Sequence, residues 1–339
     1  MRRTVAIALV ALGAFALVLG VLLRVWAYPR LATVPLDQTS RTVSVGEDMS
    51  VLLIRGEGLK VLRGVKVTSV RLVDGDAKAA RERGDDRSAF WETSVTNETG
   101  GEVLSQSTAG VSFDRVTGLA TNCCGDYAET VAGDKAPVRY EGLYYKFPFD
   151  TRRDDYPFWD DDLGKATPAV FSGEETLEGV SVFKFVQRIP DTSLGQQDVP
   201  GSLWEASITG NVTADLMYGN TRTLWVEPNT GVILKGQEEQ NKRLVYNGAE
   251  VPATVGTIAY DAATVKETAD AYGFKGTALG AIHGAGSTGL AALGGLAVLA
   301  GLTMLAGEAT RGRGRRVLPA DAPDSVDLRT TDGAPTDVR

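Results

Sequence analysis

The sequence predicts a mainly β ectodomain, a curved antiparallel sheet or partial barrel with short helices, held between two transmembrane helices. Three observations predict it. An uncharged apolar run lies near each end, β-branched and polar residues alternate through most of the stretch between, and glycine-bearing turn signals fall at hairpin spacing.

The first run, Thr4–Leu23, holds 20 residues and no charge. At about 1.5 Å per residue, such a helix crosses a hydrocarbon core of roughly 30 Å. It exceeds the roughly 7–15 residues of a signal-peptide core, and Arg24, Trp26 and Tyr28 follow it as an interfacial anchor rather than a small-residue cleavage site. It therefore reads as an uncleaved anchor. The second span takes 288–307, uncharged from Gly289 to Gly307. Arg2 and Arg3 precede the first span, and Arg311, Arg313, Arg315 and Arg316 follow the second. Basic residues stay cytoplasmic, so residues 1–3 and 308–339 are expected inside the plasma membrane and residues 24–287 outside it. Ala291/Gly295 and Ala297/Gly301 stand at small-xxx-small spacing, which suits a close helix pair within the chain or a homo-oligomer. With no charge and few hydroxyls, neither span suits the wall of a watery pore.

The net charge of −8 is uneven. Residues 1–24 carry three Arg and no acid, residues 308–339 carry six of each sign, and the exterior part is left near −11. An acidic surface repels phosphate backbones, so no nucleic acid partner is expected. The tail after Arg316, rich in Pro, Asp, Thr and Gly, keeps no apolar period and is expected to be disordered.

Arg41–Ile54 and Leu59–Val73 alternate as strands, with turn glycines at Gly56, Gly58 and Gly64. "GVSFDRVTGLA" (Gly110–Ala120) and "RTLWVEPNTGVIL" (Arg222–Leu234) share a layout: aromatic, acid, two residues, Thr-Gly, apolar strand start. Gly118 and Gly231 supply the positive φ such a turn needs. The repeated hairpin suggests two related β halves, 40–125 and 165–262. Beyond them, Asp261 is a plausible N-cap for a helix carrying Ala263, Val265, Ala269 and Ala271 toward the membrane.

Cys123 and Cys124 are the chain's two cysteines and are adjacent. In an oxidising exterior they are a candidate vicinal disulfide that stiffens the "TNCCGDY" turn. A redox-active pair needs a nearby cation to lower a thiol pKa, and none lies close in sequence. The densest feature is "YEGLYYKFPFDTRRDDYPFWDDD" (Tyr140–Asp162), where eight of the 25 aromatic residues fall in twenty positions. Tyr144, Tyr145, Phe147, Phe149, Tyr156, Phe158 and Trp159 form a candidate ligand or partner surface, with Tyr145, Phe147 and Phe149 projecting to one face if extended. A core strand ending at a Pro-bounded turn is the plainer reading. Asp154, Asp155, Asp160, Asp161 and Asp162 match no EF-hand spacing and, with Arg152 and Arg153 beside them, read as a solvated acidic loop. His283 is the lone histidine and reads as an interfacial polar residue. With no Gly-x-Ser-x-Gly elbow, phosphate loop, dinucleotide fingerprint or His/Cys ligand set, no catalytic residue, cofactor or metal is assigned.

Taken together, "DRVTGLATNCCGD", "YEGLYYKFPFDTRRDDYPFWD", "FSGEETLEGVSVFKF" and "LWVEPNTGVI" resemble the PorA-like, porin-labelled family of actinobacterial two-span membrane proteins. The resemblance covers nearly the whole chain and transfers no catalytic residue. The layout also parallels class B scavenger receptors, which hang a lipid-binding ectodomain between two spans. The expected function is a membrane-anchored cell-envelope protein whose β-rich domain binds an apolar ligand, a lipid for instance, or an envelope protein. The alternative that the resemblance implies is a channel-forming porin, and an envelope hydrolase is a third.

Overall fold

The computed structural model describes residues 2–55, 58–83, 85–131 and 133–313. Gly56 and the tail with Arg315 and Arg316, expected to be disordered, lie outside the described residues, as do the side chains of Arg311 and Arg313. The chain divides into two compact units, residues 1–19 with 289–339, and residues 20–288.

The first unit is an antiparallel pair of apolar helices, α1 (Arg2–Leu22) and the membrane portion of the last helix, Ala285–Arg313. Both ends of the chain thus carry helices long and apolar enough to cross a bilayer. Their contact is made of backbone and small residues. A methyl group on Gly13 would sit 2.7 Å from the Gly294 carbonyl oxygen, and one on Gly301 2.7 Å from that of Ala6. Glycine here is what lets the helices touch, because lipid supplies no hydrophobic force between them and close packing must do so. The small-xxx-small stripe that Gly301 belongs to is therefore engaged within the chain. Leu12, Phe15, Val18, Leu293, Leu296 and Leu299 stay exposed on the outside of the pair.

In the second unit the first helix continues through a π-turn (Leu23–Ala27) into a short α2 (Tyr28–Leu31). Six strands follow: β1 (Thr39–Arg55), β2 (Gly58–Gly75), β3 (Ser88–Thr99), β4 (Glu102–Asp114), β5 (Tyr127–Glu129) and β6 (Ala136–Pro137), with α3 (Ala77–Arg83) between β2 and β3. Six more complete the sheet: β7 (Tyr156–Asp160), β8 (Lys165–Leu177), β9 (Val180–Pro200), β10 (Asn211–Glu227), β11 (Val232–Tyr246) and β12 (Ala249–Tyr260). All twelve join one antiparallel sheet in the order β6-β5-β4-β3-β2-β1-β12-β11-β10-β9-β8-β7. Each strand of the first meander stands where the strand six later stands in the second. The seam is β1 against β12, with Ser44 opposite Tyr260 and Val51 opposite Thr254.

The sheet curls until its far ends approach. Leu143, in the segment between β6 and β7, bridges Phe158 of β7 on one side and Leu119, just beyond β4, on the other. Leu143 N–H donates to the Pro157 carbonyl at 2.8 Å, and Ala120 N–H to that of Gly142 at 2.9 Å. Bulges in β1 at Gly46–Val51, and in β9 and β10, supply the bending.

The two similar turns have the same anatomy. Asp114 accepts from the Val116 and Thr117 backbone N–H and from the Thr117 hydroxyl. Glu227 accepts likewise from Asn229 N–H, Thr230 N–H and the Thr230 hydroxyl. Gly118 and Gly231 follow at φ of 76° and 73°. Beyond β12, Asp261 accepts from Thr264 N–H at 2.7 Å and caps α4 (Ala262–His283), the helix its position anticipates. α4 lays Ala269 and Tyr272 on Val182, Trp225 and Leu234, and packs Gly276 and Gly280 against Glu227 and Asn229. Helix resumes at once after Gly284 as α5 (Ala285–Arg313), so it begins earlier than the expected span.

Candidate functional site

The aromatic segment Tyr140–Phe149 is a strap. Between Lys146 and Thr151 it is tied to both turns: Phe147 N–H donates to the Gly231 carbonyl, Phe149 N–H to Val116 and Thr151 N–H to Pro228, at 2.8, 3.1 and 2.7 Å. An extended strand would put Tyr145, Phe147 and Phe149 on one face, but tethering to two turns separates them. Phe147 joins Phe158, Phe185 and Leu143, with Tyr156 packed against the same group. Tyr145 and Phe149 pack instead on Trp91 and Phe113. Tyr144 and Trp159 each meet Tyr140 edge-to-face, over Ala109 and Val111. Most of these rings are packed core, while Tyr144, Tyr145, Phe158 and Trp159 also present an edge to a cavity.

That cavity, of about 890 Å³, fills the hollow of the curled sheet and is lined by residues of both meanders. Its walls are mixed, and their polar part is charged. Arg222 of β10 is the best-tied group. Its Nε donates to Glu238 Oε1 at 2.9 Å, Nη2 to Asp160 Oδ2 at 3.1 Å, and Nη1 to Gln187 Oε1 at 2.6 Å. Tyr218 donates its hydroxyl to Asp160, and Asn220 and Gln240 donate to Glu238. Burial opposes ionisation of Glu238, but Arg222 outweighs it and takes the carboxyl down to about 2. Lys242 pairs with Asp162. Asp160, expected in a solvated acidic loop, is instead a buried ion-pair partner at 1% exposure, because Leu163 N–H and the Tyr218 hydroxyl fold β7 over it. Asp154 and Asp155 are exposed.

Asp161 is crowded by neighbouring protein atoms yet solvent-exposed, and it lines the cavity. Its oxygens accept from Trp159 Nε1 at 2.9 Å and the Tyr144 hydroxyl at 3.3 Å, and burial pushes its carboxyl up against the pull of Arg71 and Arg222. Arg71 of β2 lies over the Tyr144 and Tyr145 rings, at 5.2 and 5.7 Å from their centroids, with its Nε unpartnered. Sequence reading passed over Arg71, Tyr218, Arg222 and Glu238. Each sits singly in an ordinary alternating strand, and only the curl of the sheet brings them together.

The outer face of the sheet is polar too. On β3 the cavity-lining Thr93, Val95 and Asn97 alternate with Glu92, Ser94, Thr96 and Glu98. On β11, Glu238, Gln240 and Lys242 alternate with Glu239, Asn241 and Arg243. Among the described strand residues, the large apolar side chains that stand exposed are Leu72, Val103 and Val170, far short of the lipid-facing band a spanning barrel needs.

Cys123 and Cys124 are bonded to each other, with Cα atoms 3.8 Å apart, in a turn flanked by Asn122 and Gly125 at positive φ. They pack against Ala80 and Phe90, away from the cavity lining. His283 stacks on Tyr28, with centroids 4.1 Å apart, and its Nδ1 lies 3.7 Å from Asp150.

Residues 5–303 match the family described as Porin PorA, from the first apolar helix into the last. The chain belongs to that family. It is 25% identical to the Porin PorA of Corynebacterium amycolatum over 303 residues, covering 70% of this chain and 77% of that protein. It is 28% identical over 150 residues to the Porin PorA of Corynebacterium resistens, covering 30% and 36%. Two apolar helices together with a β-rich body suit membrane association in a member of this family.

Proposed function

We propose that this protein is a membrane-anchored envelope protein whose curled sheet encloses a water-filled chamber for small hydrophilic solutes. The carrying observation is the charged wall of the chamber, Arg71, Asp161 and the Arg222–Asp160–Glu238 network, inside a sheet whose outer face is also polar. An apolar ligand or lipid gains little there, since it would strip water from buried charges without pairing them. In this reading 24–287 stands outside the plasma membrane, with both termini in the cytoplasm, as the flanking arginines favour. A partner protein in the envelope and a homo-oligomer remain compatible with it.

Native mass spectrometry of gently extracted full-length protein tests the choice of ligand. The expected result is a polar small molecule released from the chamber or none retained; a stoichiometric lipid overturns the reading. The relatives' printed name favours a second reading, in which solutes pass through the chamber. Planar-bilayer recording separates the two. Discrete conductance steps altered by Glu238→Gln support passage, and silence at high protein load leaves a holding chamber.

A further inference from the structure

Most charges in the chamber wall are spoken for. Arg222 is paired with Glu238 and Asp160, and Lys242 with Asp162. Arg71 and the exposed Arg139 have no carboxylate within ion-pair distance among the described residues, and of the two it is Arg71 that is held inside the wall, its Nε without a hydrogen-bond partner. A buried arginine ordinarily satisfies its five donors, since leaving them bare forfeits their hydration. The Tyr144 and Tyr145 rings hold the guanidinium from one side and leave its donor edge uncommitted. Hydroxyls surround it. Thr42 is its cross-strand partner on β1, Ser44 faces Ser69 one register step away, and all three line the cavity. Thr93 on β3 lines it too, but its hydroxyl proton is given to Tyr145, which leaves Ser44 and Ser69 as the uncommitted donors.

A planar cation among hydroxyl donors, facing a cavity of about 890 Å³, is the chemistry of oxyanion recognition. We propose that the chamber holds a small solute bearing an oxyanion (a carboxylate, sulfonate or phosphate), with Arg71 as the residue that seats that group. This rests on the solute-chamber reading above. Asp161, the carboxylate that also touches Tyr144 and has no Lys or Arg partner among the described residues, gives the solute a second contact if it carries an ammonium group. The acidic residues on the facing wall disfavour a multiply charged anion. Lys146, the other buried cation without a hydrogen bond, does not line the chamber and has no part in this site.

The test uses full-length protein with Ser44→Cys as a reporter in the chamber. Labelling rates are measured with an anionic sulfonatoethyl methanethiosulfonate and a cationic trimethylammonioethyl methanethiosulfonate, with and without Arg71→Gln. The expected result is that Arg71→Gln lowers the anionic reagent's rate by roughly tenfold, while the cationic reagent's rate does not fall. Arg71→Lys retains most of the preference, and gluconate slows anionic labelling where glucose does not. An anionic-to-cationic ratio unchanged by Arg71→Gln, in protein whose circular dichroism matches the parent, overturns the oxyanion site and leaves the chamber intact. Failure of both reagents to reach Ser44→Cys overturns the solute chamber and this inference with it.

Discussion

Lys146 is buried beneath the strap, its ammonium 3.8 Å over the Phe149 ring and without a hydrogen bond. Burial takes its pKa from 10.5 down to about 7, against the pull of Asp114 and Glu227, the acids of the two similar turns. Between pH 7 and 10.5 the unfolded chain then holds a proton that the folded chain has released. Stability therefore climbs with pH across that window and is flat below it. Lys146→Met removes the climb and raises stability at pH 7 and below, by on the order of 3 kcal/mol, read from denaturation midpoints across the pH range. Glu238 acts in the opposite sense. Its carboxyl drops from 4.5 to about 2 in the folded chain, so its stabilisation is present above pH 4.5 and lost as pH falls toward 2. Arg222→Met abolishes that acid-side loss and costs about 3–5 kcal/mol at neutral pH, since Glu238 and Asp160 are left buried without their cation. A midpoint unchanged by Arg222→Met would mean that the network carries no stability.

At the level of elements, the turns and the helix pair make the sharpest demands on sequence. A side chain at Gly231 would meet the Phe147 and Pro148 carbonyls, and φ there is 73°. Gly164 has similar positive φ of 61° but open space around it. Gly231→Ala is expected to cost roughly 2–4 kcal/mol and Gly164→Ala about 1 kcal/mol, compared by chemical denaturation of the detergent-solubilised protein. In the membrane unit, Gly13→Leu lowers the thermal midpoint because its side chain would strike Gly294 and Val298, whereas Gly289→Leu, with nothing nearby, does not. Equal midpoints for those two variants would show that the spans do not depend on this contact.

These same elements mark what was legible in the sequence. The alternation of β1 and β2, the Thr-Gly turns and the Asp261 cap are local signals, set by side-chain period and backbone sterics within a few residues. The strap was legible only as a dense aromatic run. Where each ring points depends on two turns more than 80 residues from one another in sequence, Val116 and Asn229–Gly231. The charged wall was illegible for the same reason, since Arg71, Asp160 and Glu238 meet through strand order rather than spacing.

For the whole molecule, the sheet has water chemistry on both faces, while the apolar surface is concentrated on the end helices. On the function proposed above, the helices anchor the chain and the sheet meets the solute, an arrangement unlike a barrel that crosses lipid with its strands. Nitroxide labels on the outer face at Ser94, Thr96 and Asn241 of full-length protein in liposomes test this most directly, by comparing collisions with lipid-soluble oxygen and with a water-soluble nickel chelate. A sheet standing in water gives nickel-dominated collisions at all three sites and oxygen-dominated ones only at helix positions such as Phe15 and Leu296. Oxygen-dominated collisions at Ser94, Thr96 and Asn241 would put the strands in the bilayer and contradict the chamber described above.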